Sequence, residues 1–142
     1  MRLSFFLLPL ALLTACSAPE EFVTSPKTVV TERIATAYPT IEVAEVSLPS
    51  YAAATEILAT SEVGLIVTDL FWADDPTRQV TLALTRNLKE ITGAQVASEP
   101  WPFEETAFAR VDVRVEEFLV EGATLKLTGQ YFVAAREEFG RN

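Results

Sequence analysis

Few residues in this 142-residue chain are suited to chemistry, and the most distinctive is its single cysteine, Cys16. The chain contains no histidine, so the commonest general base is missing and no Cys/His cluster for zinc can form. Asp74 and Asp75 form a carboxylate pair that could in principle do general acid–base work. They directly precede Pro76, however, and capping of a helix explains them better. With no nucleophile elbow and no phosphate-binding glycine loop, the sequence offers no positive case for an enzyme, a metal or a cofactor.

Cys16 closes a segment with the composition of a secretory signal peptide. Arg2 supplies a positive charge, Phe5–Leu13 are almost all apolar, and two small residues precede the cysteine. The apolar run is too short for a membrane-spanning helix, which needs about 20 residues. Leu13-Thr14-Ala15-Cys16 resembles the lipobox of bacterial lipoproteins, which implies cleavage between Ala15 and Cys16 and a covalent lipid on Cys16. The alternative is an ordinary cleaved signal peptide with an incidental cysteine.

Acylation of Cys16 would fix the mature protein to a bilayer. In lipoproteins the cysteine carries two acyl chains on sulfur and one, such as palmitate, on its new amino group. One chain alone binds weakly and two signals hold stably, so three chains make an anchor. In envelopes with two membranes, an aspartate after the cysteine is associated with inner-membrane retention. Ser17 stands there instead, and the resemblance therefore implies the outer membrane.

The charge balance excludes some partners. The chain has 20 Asp and Glu against 11 Lys and Arg, a net charge of −9. Nucleic acid is excluded, because phosphate binding requires a basic face. Attachment to anionic lipid through a basic patch is disfavoured for the same reason. An exported chain with one cysteine has no internal disulfide, so the fold must depend on packing.

We expect three segments along the chain. Residues 1–15 form the lipoprotein signal peptide, and residues 16–39 form the lipidated N-terminus and a tether rich in Ser, Thr and Pro. Within this tether Glu20–Thr24 could form a short strand. Residues 40–142 are long enough for one compact domain but hardly for two.

Alternating apolar residues predict strands in the first half of this domain. One strand covers Thr40–Leu48, with a phase slip after Ala44 that indicates a bulge or bend. Two more, Glu56–Thr60 and Val63–Trp72, close on a turn at Ser61-Glu62. Because residues 63–67 are apolar on both faces, we expect a central, covered strand there.

The clearest prediction is a helix from Pro76 to Thr92. Asp75 is a favourable N-cap before a proline, and Gly93 suits the left-handed C-terminal cap. Four apolar residues make a single stripe along it: Val80, Leu84, Leu88 and Ile91. We expect this stripe to pack on the protein's own sheet; the alternative is a partner-binding helix.

A short strand at Ala94–Ser98 and a long hairpin, Ala107–Val120 with Thr124–Ala135, complete the domain. A two-residue turn at Glu121-Gly122 would mix the apolar and charged faces of the hairpin. A three-residue turn including Ala123 would pair Val113 with Tyr131 and Val111 with Val133, which keeps the apolar face intact. We therefore expect the three-residue turn, unless a bulge at Glu116-Glu117 compensates for the shorter one. The charged face of the first arm is expected to be a solvated ion ladder, or alternatively a subunit contact. The order of elements predicts an α/β or α+β layered domain, a mixed sheet with one main helix packed on it.

Aromatic residues near strand ends are the remaining candidates for binding. Trp72, Trp101 and Phe103 could contact a partner or line a ligand groove, whereas the simpler interpretation is that they complete the core. Trp101 lies between two prolines, so we expect a loop to hold it outward.

Taken together, the ordered motifs resemble the PqiC-type family of ABC transport auxiliary lipoproteins, which belong to transport systems with MCE (mammalian cell entry) domains. The resemblance rests on the lipobox ending at Cys16, the segment Ile41–Tyr51 ending in Leu-Pro-Ser-Tyr, and the apolar strand that ends at Trp72. It also rests on the helix followed by Gly93, the Glu99-Pro100-Trp101 turn and the Val111–Val115 strand. It extends over most of residues 16–135.

The resemblance implies a non-catalytic subunit on the periplasmic face of the outer membrane. Its partners would be a periplasmic MCE-domain subunit and, through it, an inner-membrane permease; its role would be traffic of phospholipid or other hydrophobic solutes and envelope integrity. The implied fold is similar to the N-terminal domain of TolB-like proteins, and a homo-oligomeric ring is implied too. The family usually continues with a further strand and a C-terminal helix, which this sequence lacks, so we expect a C-terminally truncated or short variant with one sheet face bare.

Two other function classes remain as alternatives. One is a stand-alone, periplasm-facing lipoprotein with a pocket near Trp101 for a small apolar ligand. The other is an unrecognised hydrolase whose activity would depend on Asp74 or Asp75.

Overall fold

The computed structural model describes residues 20–25 and 29–136. The predicted signal peptide at 1–15, the lipidation site Cys16 and residues 137–142 lie outside the described residues. The predictions made for them stay predictions.

Seven strands and one long helix form the described part of the chain, together with a short 3-10 helix at Ser50–Ala52. All seven strands join one sheet that contains both parallel and antiparallel pairs. The helix packs on one face, which confirms the layered α/β prediction. The elements are β1 (Glu21–Val23), β2 (Thr40–Val43), β3 (Glu56–Ser61), β4 (Gly64–Trp72), α1 (Pro76–Thr92), β5 (Gln95–Ser98), β6 (Ala109–Glu121) and β7 (Thr124–Ala135).

Strand β6 organises the sheet. Strand β7 runs antiparallel along its whole length, while β2 pairs with its first part and β3 with its last part. Beyond β2 lies β5, and beyond β3 lie β4 and then β1. No described strand pairs with the outer edge of β7. Because β6 has 13 residues at about 3.3 Å per residue, the sheet is about 40 Å long.

The sheet has two distinguishable ends. At one, which we call the turn end, the β3–β4 and β6–β7 hairpins close at residues 62–63 and 122–123. The two turns are level, because β3 and β6 are parallel and Ala59 lies beside Val120. At the other, which we call the start end, β2, β5 and β6 begin.

Strand β1 brings part of the predicted tether into the sheet. Its register places Glu21 beside Leu70 and Val23 beside Trp72 in a parallel pair. This confirms the short strand expected within Glu20–Thr24. The sheet therefore begins earlier along the chain than the domain start expected at Thr40.

The predicted first strand is interrupted where its phase slips. Regular pairing of β2 ends at Val43 rather than Leu48, and Ala44 and Val46 are both buried, at 3% and 1% exposure. The Val46 N–H donates to Thr81 Oγ1 on α1 at 3.0 Å. Because the Val46 amide is hydrogen-bonded to the helix, this buried residue can leave the strand pairing without an unpaired donor.

The expectation of a covered strand at residues 63–67 is wrong. The hairpin turn is at Glu62-Val63, one residue later than predicted, and Val63 is 96% exposed. Leu65, Ile66 and Val67 are also exposed. Strand β1 has three residues and pairs only with the last part of β4, so the first part has no described neighbour on its outer edge.

The helix has the predicted limits and caps. It spans Pro76–Thr92; the Asp75 carboxylate accepts a hydrogen bond from the Arg78 amide at 2.8 Å, and Gly93 has φ +68°. Val80 packs on one core cluster and Leu88 on the other, while Leu84 touches both. The apolar stripe therefore packs on the protein's own sheet, although these side chains are only half-buried.

The C-terminal hairpin has the predicted pairs but a different turn. Val113 lies opposite Tyr131 and Val111 opposite Val133, as expected. The turn is two residues, Gly122-Ala123, not three, and a bulge between Val115 and Glu117 restores the register. Because a bulge shifts the pairing by one residue, the two-residue turn and the bulge together give the same register as the expected three-residue turn.

Candidate functional site

Trp72 belongs to the core. Its side chain is 7% exposed and stacks on Phe118 with ring centroids 5.2 Å apart and an interplanar angle of 11°. It packs in a cluster that also contains Val46 and Ile57. A partner or ligand at the surface therefore meets little of this ring.

Trp101 and Phe103 lie together in the loop between β5 and β6. Their rings meet edge to face with centroids 4.9 Å apart, and the Trp101 indole N–H donates to the Glu105 carbonyl at 2.7 Å. Phe103 is 45% exposed and Trp101 is half-buried. The loop thus holds a preformed aromatic pair that is partly open to solvent.

A cavity of about 330 Å³ adjoins this pair. Its lining combines the two rings with Thr40, Gln95 and the acidic residues Glu104 and Glu105. Thr40 begins β2 and Gln95 begins β5, so the aromatic pair lies at the start end of the sheet. The lining suits a polar or amphipathic contact better than a purely apolar ligand.

The charged face of the sheet carries an ion-pair network. Arg110 contacts Glu42 and Glu99, each at 2.9 Å. The hydrogen bond from Arg110 is the main cause that holds the pKa of Glu99 below its ordinary value, and the same contact raises the pKa of Arg110. Because the pKa of Glu99 is lowered, its carboxylate is a weak proton acceptor, which is unsuitable for a general base near neutral pH.

Asp74 and Asp75 are used structurally. Asp75 caps the helix, while Asp74 forms an ion pair with Arg78 and accepts a hydrogen bond from the Asp75 amide at 2.8 Å. Their contacts are those of a helix N-terminus.

The sequence did not indicate an apolar groove that lies between α1 and β7. It has a volume of about 490 Å³ and is lined by Leu84 and Leu88 on the helix and by Leu127 and Tyr131 on β7, with Val113 among the residues from β6. Smaller cavities continue it along the inner face of β7 towards Gly122. Among the described residues, β7 has no neighbouring strand on its outer edge, and apolar side chains along it such as Leu127 and Tyr131 are exposed. Sequence analysis expected one bare sheet face without assigning it to a strand, and a groove is a three-dimensional feature with no sequence signature.

The β3–β4 hairpin is a second apolar surface that sequence analysis assigned to the core. Four residues at its tip are apolar and exposed: Val63, Leu65, Ile66 and Val67. The first part of β4 pairs with β3 but has no described neighbour on its outer edge, because the short strand β1 pairs only with Leu70–Trp72.

Within residues 20–25 and 29–136, no group of three or more His, Cys, Asp or Glu side chains could hold a metal ion. No helix in the same ranges is long and apolar enough to cross a membrane.

Comparisons with known proteins give a family and two solved structures to which this chain is similar. Residues 23–140 match the family model of the ABC-type transport auxiliary lipoprotein component. A crystal structure described as that of an uncharacterized protein superposes with a TM-score of 0.56 at 16% identity, over 87% of this chain and 84% of that chain. A DUF330-family protein from Xanthomonas campestris gives a TM-score of 0.48 at 14% identity, over 79% and 78% of the two chains. No curated protein matches the sequence.

The described residues form an α/β layered domain with exposed apolar surfaces at its edges. The chain belongs to the family of ABC-type transport auxiliary lipoprotein components. As a member of this family, the protein has an accessory role in transport and is attached to a membrane through lipid.

Proposed function

We propose that this protein is an outer-membrane lipoprotein of an MCE-type transport system, anchored through Cys16 and facing the periplasm. Its domain receives a periplasmic MCE-domain subunit, which connects to an inner-membrane permease. The cargo is phospholipid or another hydrophobic solute, and the protein acts as a scaffold without a cofactor. A homo-oligomeric ring is part of the same proposal.

The observation that carries the proposal is the separation of the two functional ends. Strand β1 is parallel to β4, and β4 runs away from the turn end. The N-terminal end of β1, at Glu21, therefore points towards the turn end. The Trp101–Phe103 pair lies at the start end, about 40 Å away along β6. An anchor at one end leaves the other directed into the periplasm.

The aromatic pair has the character of an interface anchor. Aromatic side chains are enriched at the centres of interfaces and are often surrounded by polar residues. Here Glu104 and Glu105 border the rings. We expect a complementary partner surface with an apolar pocket bordered by basic residues.

Site-specific photo-cross-linking in intact envelopes tests the docking surface. A benzoylphenylalanine at Phe103 should cross-link to an MCE-domain subunit, identified by mass spectrometry. The matched control is the same substitution at Phe132, which is 47% exposed against 45% for Phe103 but lies on β7. Equal products at both positions, or none at Phe103, would contradict the assignment.

The groove between α1 and β7 favours a second candidate, a stand-alone ligand-binding lipoprotein. It is larger and more apolar than the cavity beside Trp101, where such a ligand was first expected. Organic extraction of the purified protein and mass spectrometry would reveal a bound apolar molecule. Leu88→Glu should remove that molecule, whereas Leu82→Glu, at an exposed helix position outside the groove, should retain it.

A further inference from the structure

The tip of the β3–β4 hairpin is an apolar surface exposed on both faces. Val63 is 96% exposed, Val67 64%, Ile66 51% and Leu65 44%. Successive residues of a strand point to opposite faces, so Leu65 and Val67 lie on one side and Ile66 on the other. Packing against one face of another domain would cover only half of such a surface. Insertion of the tip into a surrounding medium would cover both of its faces.

The length and direction of the N-terminal chain relate this tip to the lipid anchor. Cys16 precedes Glu21 by five residues, and five residues reach at most about 18 Å. Glu21 lies beside Leu70, and the six residues from Leu70 back to Gly64 span about 20 Å. Even a fully extended chain therefore brings Cys16 no further than the level of Leu65. With acyl chains on Cys16 in the bilayer, this length keeps Glu21 within about 18 Å of the membrane surface, which is close enough for the tip to touch it.

We propose that the β3–β4 hairpin tip, residues 62–67, is a second membrane-contact site whose ligand is the phospholipid bilayer itself. This inference rests on the acylation of Cys16 put forward under the proposed function. The apolar side chains enter the interfacial region beside the acyl anchor and fix the orientation of the sheet. The start end and its aromatic pair then point away from the membrane.

The charges near the tip specify the lipid. Glu62 is in the turn, and Glu121 flanks the neighbouring turn at the same end of the sheet. The protein as a whole has a net charge of −9. Anionic headgroups would repel this end, so the site suits zwitterionic phospholipid and depends on apolar burial rather than on charge.

Depth measurements on the acylated protein in phosphatidylcholine vesicles test the site. Two single variants, Val63→Cys and Val133→Cys, place an environment-sensitive fluorophore at the tip and at an exposed valine near the start end. We expect blue-shifted emission at position 63 and severalfold stronger quenching by nitroxide-labelled lipid than at position 133. Val63 is almost fully exposed, so its replacement leaves the core untouched.

Each alternative result has a distinct meaning. Solvent-like emission at position 63 in vesicle-bound protein would overturn the membrane contact while leaving the anchor intact. A blue shift without lipid quenching would show that protein covers the tip, and would also overturn it. Acylated Cys16 has no free thiol, so labelling of the parent chain would show that the anchor is absent. In that case the proposed function and this inference fail together.

Discussion

Trp72 and Phe118 stack with their rings nearly parallel, 5.2 Å between centroids, and join β4 to β6 beneath α1. The two strands are not neighbours, because β3 lies between them. The ring contact therefore links β4 to β6 through side chains, in addition to the backbone pairing of each strand with β3.

Phe118→Ala should destabilise the protein strongly. Removal of a buried aromatic ring leaves a cavity, and such changes cost about 3–5 kcal/mol. Denaturant unfolding followed by circular dichroism measures the loss. Phe103→Ala, at a ring that is 45% exposed, is the control and should change the unfolding free energy much less. Similar losses for the two variants would contradict the core assignment.

Asp75→Ala should destabilise the protein by about 1 kcal/mol, because it removes the side-chain acceptor of the Arg78 amide at the helix N-terminus. Asp75→Ser retains a capping oxygen and should recover most of the loss. The midpoints of urea unfolding compare the variants. If alanine and serine behaved alike, the carboxylate would have a role other than capping.

Gly129→Ala should destabilise the hairpin through a backbone collision. A Cβ atom at Gly129 would lie 2.3 Å from the Arg114 carbonyl oxygen and 2.8 Å from the Val115 Cα. Backbone atoms next to the bulge must move, at a cost of about 1–3 kcal/mol. Thermal unfolding measures the effect, and Gln130→Ala at the next, exposed position is the control. An unchanged melting temperature for Gly129→Ala would show that the backbone near the bulge accommodates the added Cβ atom at little cost.

The Glu99–Arg110 pair should make a small contribution that weakens in acid. The pKa of Glu99 is lowered in the folded state, so its stabilising effect is complete above the ordinary carboxyl pKa and is lost as the pH falls through the folded-state pKa. Both side chains are about two-fifths exposed, so solvent screening keeps the contribution below about 1 kcal/mol. Carboxyl NMR titration should show the Glu99 pKa rising in Arg110→Ala. It should not change appreciably in Arg114→Ala, whose ion pair is with Asp112.

Cys16→Ser should release the protein from the membrane into the soluble periplasmic fraction, because it removes the atom that would carry two of the acyl chains. Fractionation with immunoblotting detects the change. The matched control is Ser17→Ala, which leaves the cysteine in place and should remain membrane-bound. Retention of Cys16→Ser in the membrane fraction would exclude the acyl anchor.

Local rules predicted the elements that depend on local interactions. The helix from Pro76 to Thr92 has a cap at each end and one apolar stripe, and all of these are set within a few residues of sequence. The pairing of Val113 with Tyr131 followed from keeping apolar side chains on one face. The turn at Gly122-Ala123 did not follow, because a longer turn and a bulge shift the register equally and the sequence alone does not separate them.

Features that depend on distant neighbours escaped prediction. Val63 and Ile66 have the composition of a covered strand, but cover requires a neighbour, and β1 extends only from Glu21 to Val23. The groove beside Leu88 is lined by residues of α1, β6 and β7, which are distant in sequence. In the aromatic loop, Trp101 is held by the carbonyl of Glu105, a contact that a loop sequence does not specify.

The open outer edge of β7 has a practical consequence for handling the protein. From Leu127 to Ala135 the strand has no charged residue and no proline, the two features that usually stop one sheet from adding to another. In concentrated preparations, we therefore expect the β7 edges of different molecules to pair and to form insoluble ribbons. Gln130→Lys would place a charge on this edge, which should oppose pairing between molecules and keep the protein soluble at higher concentrations.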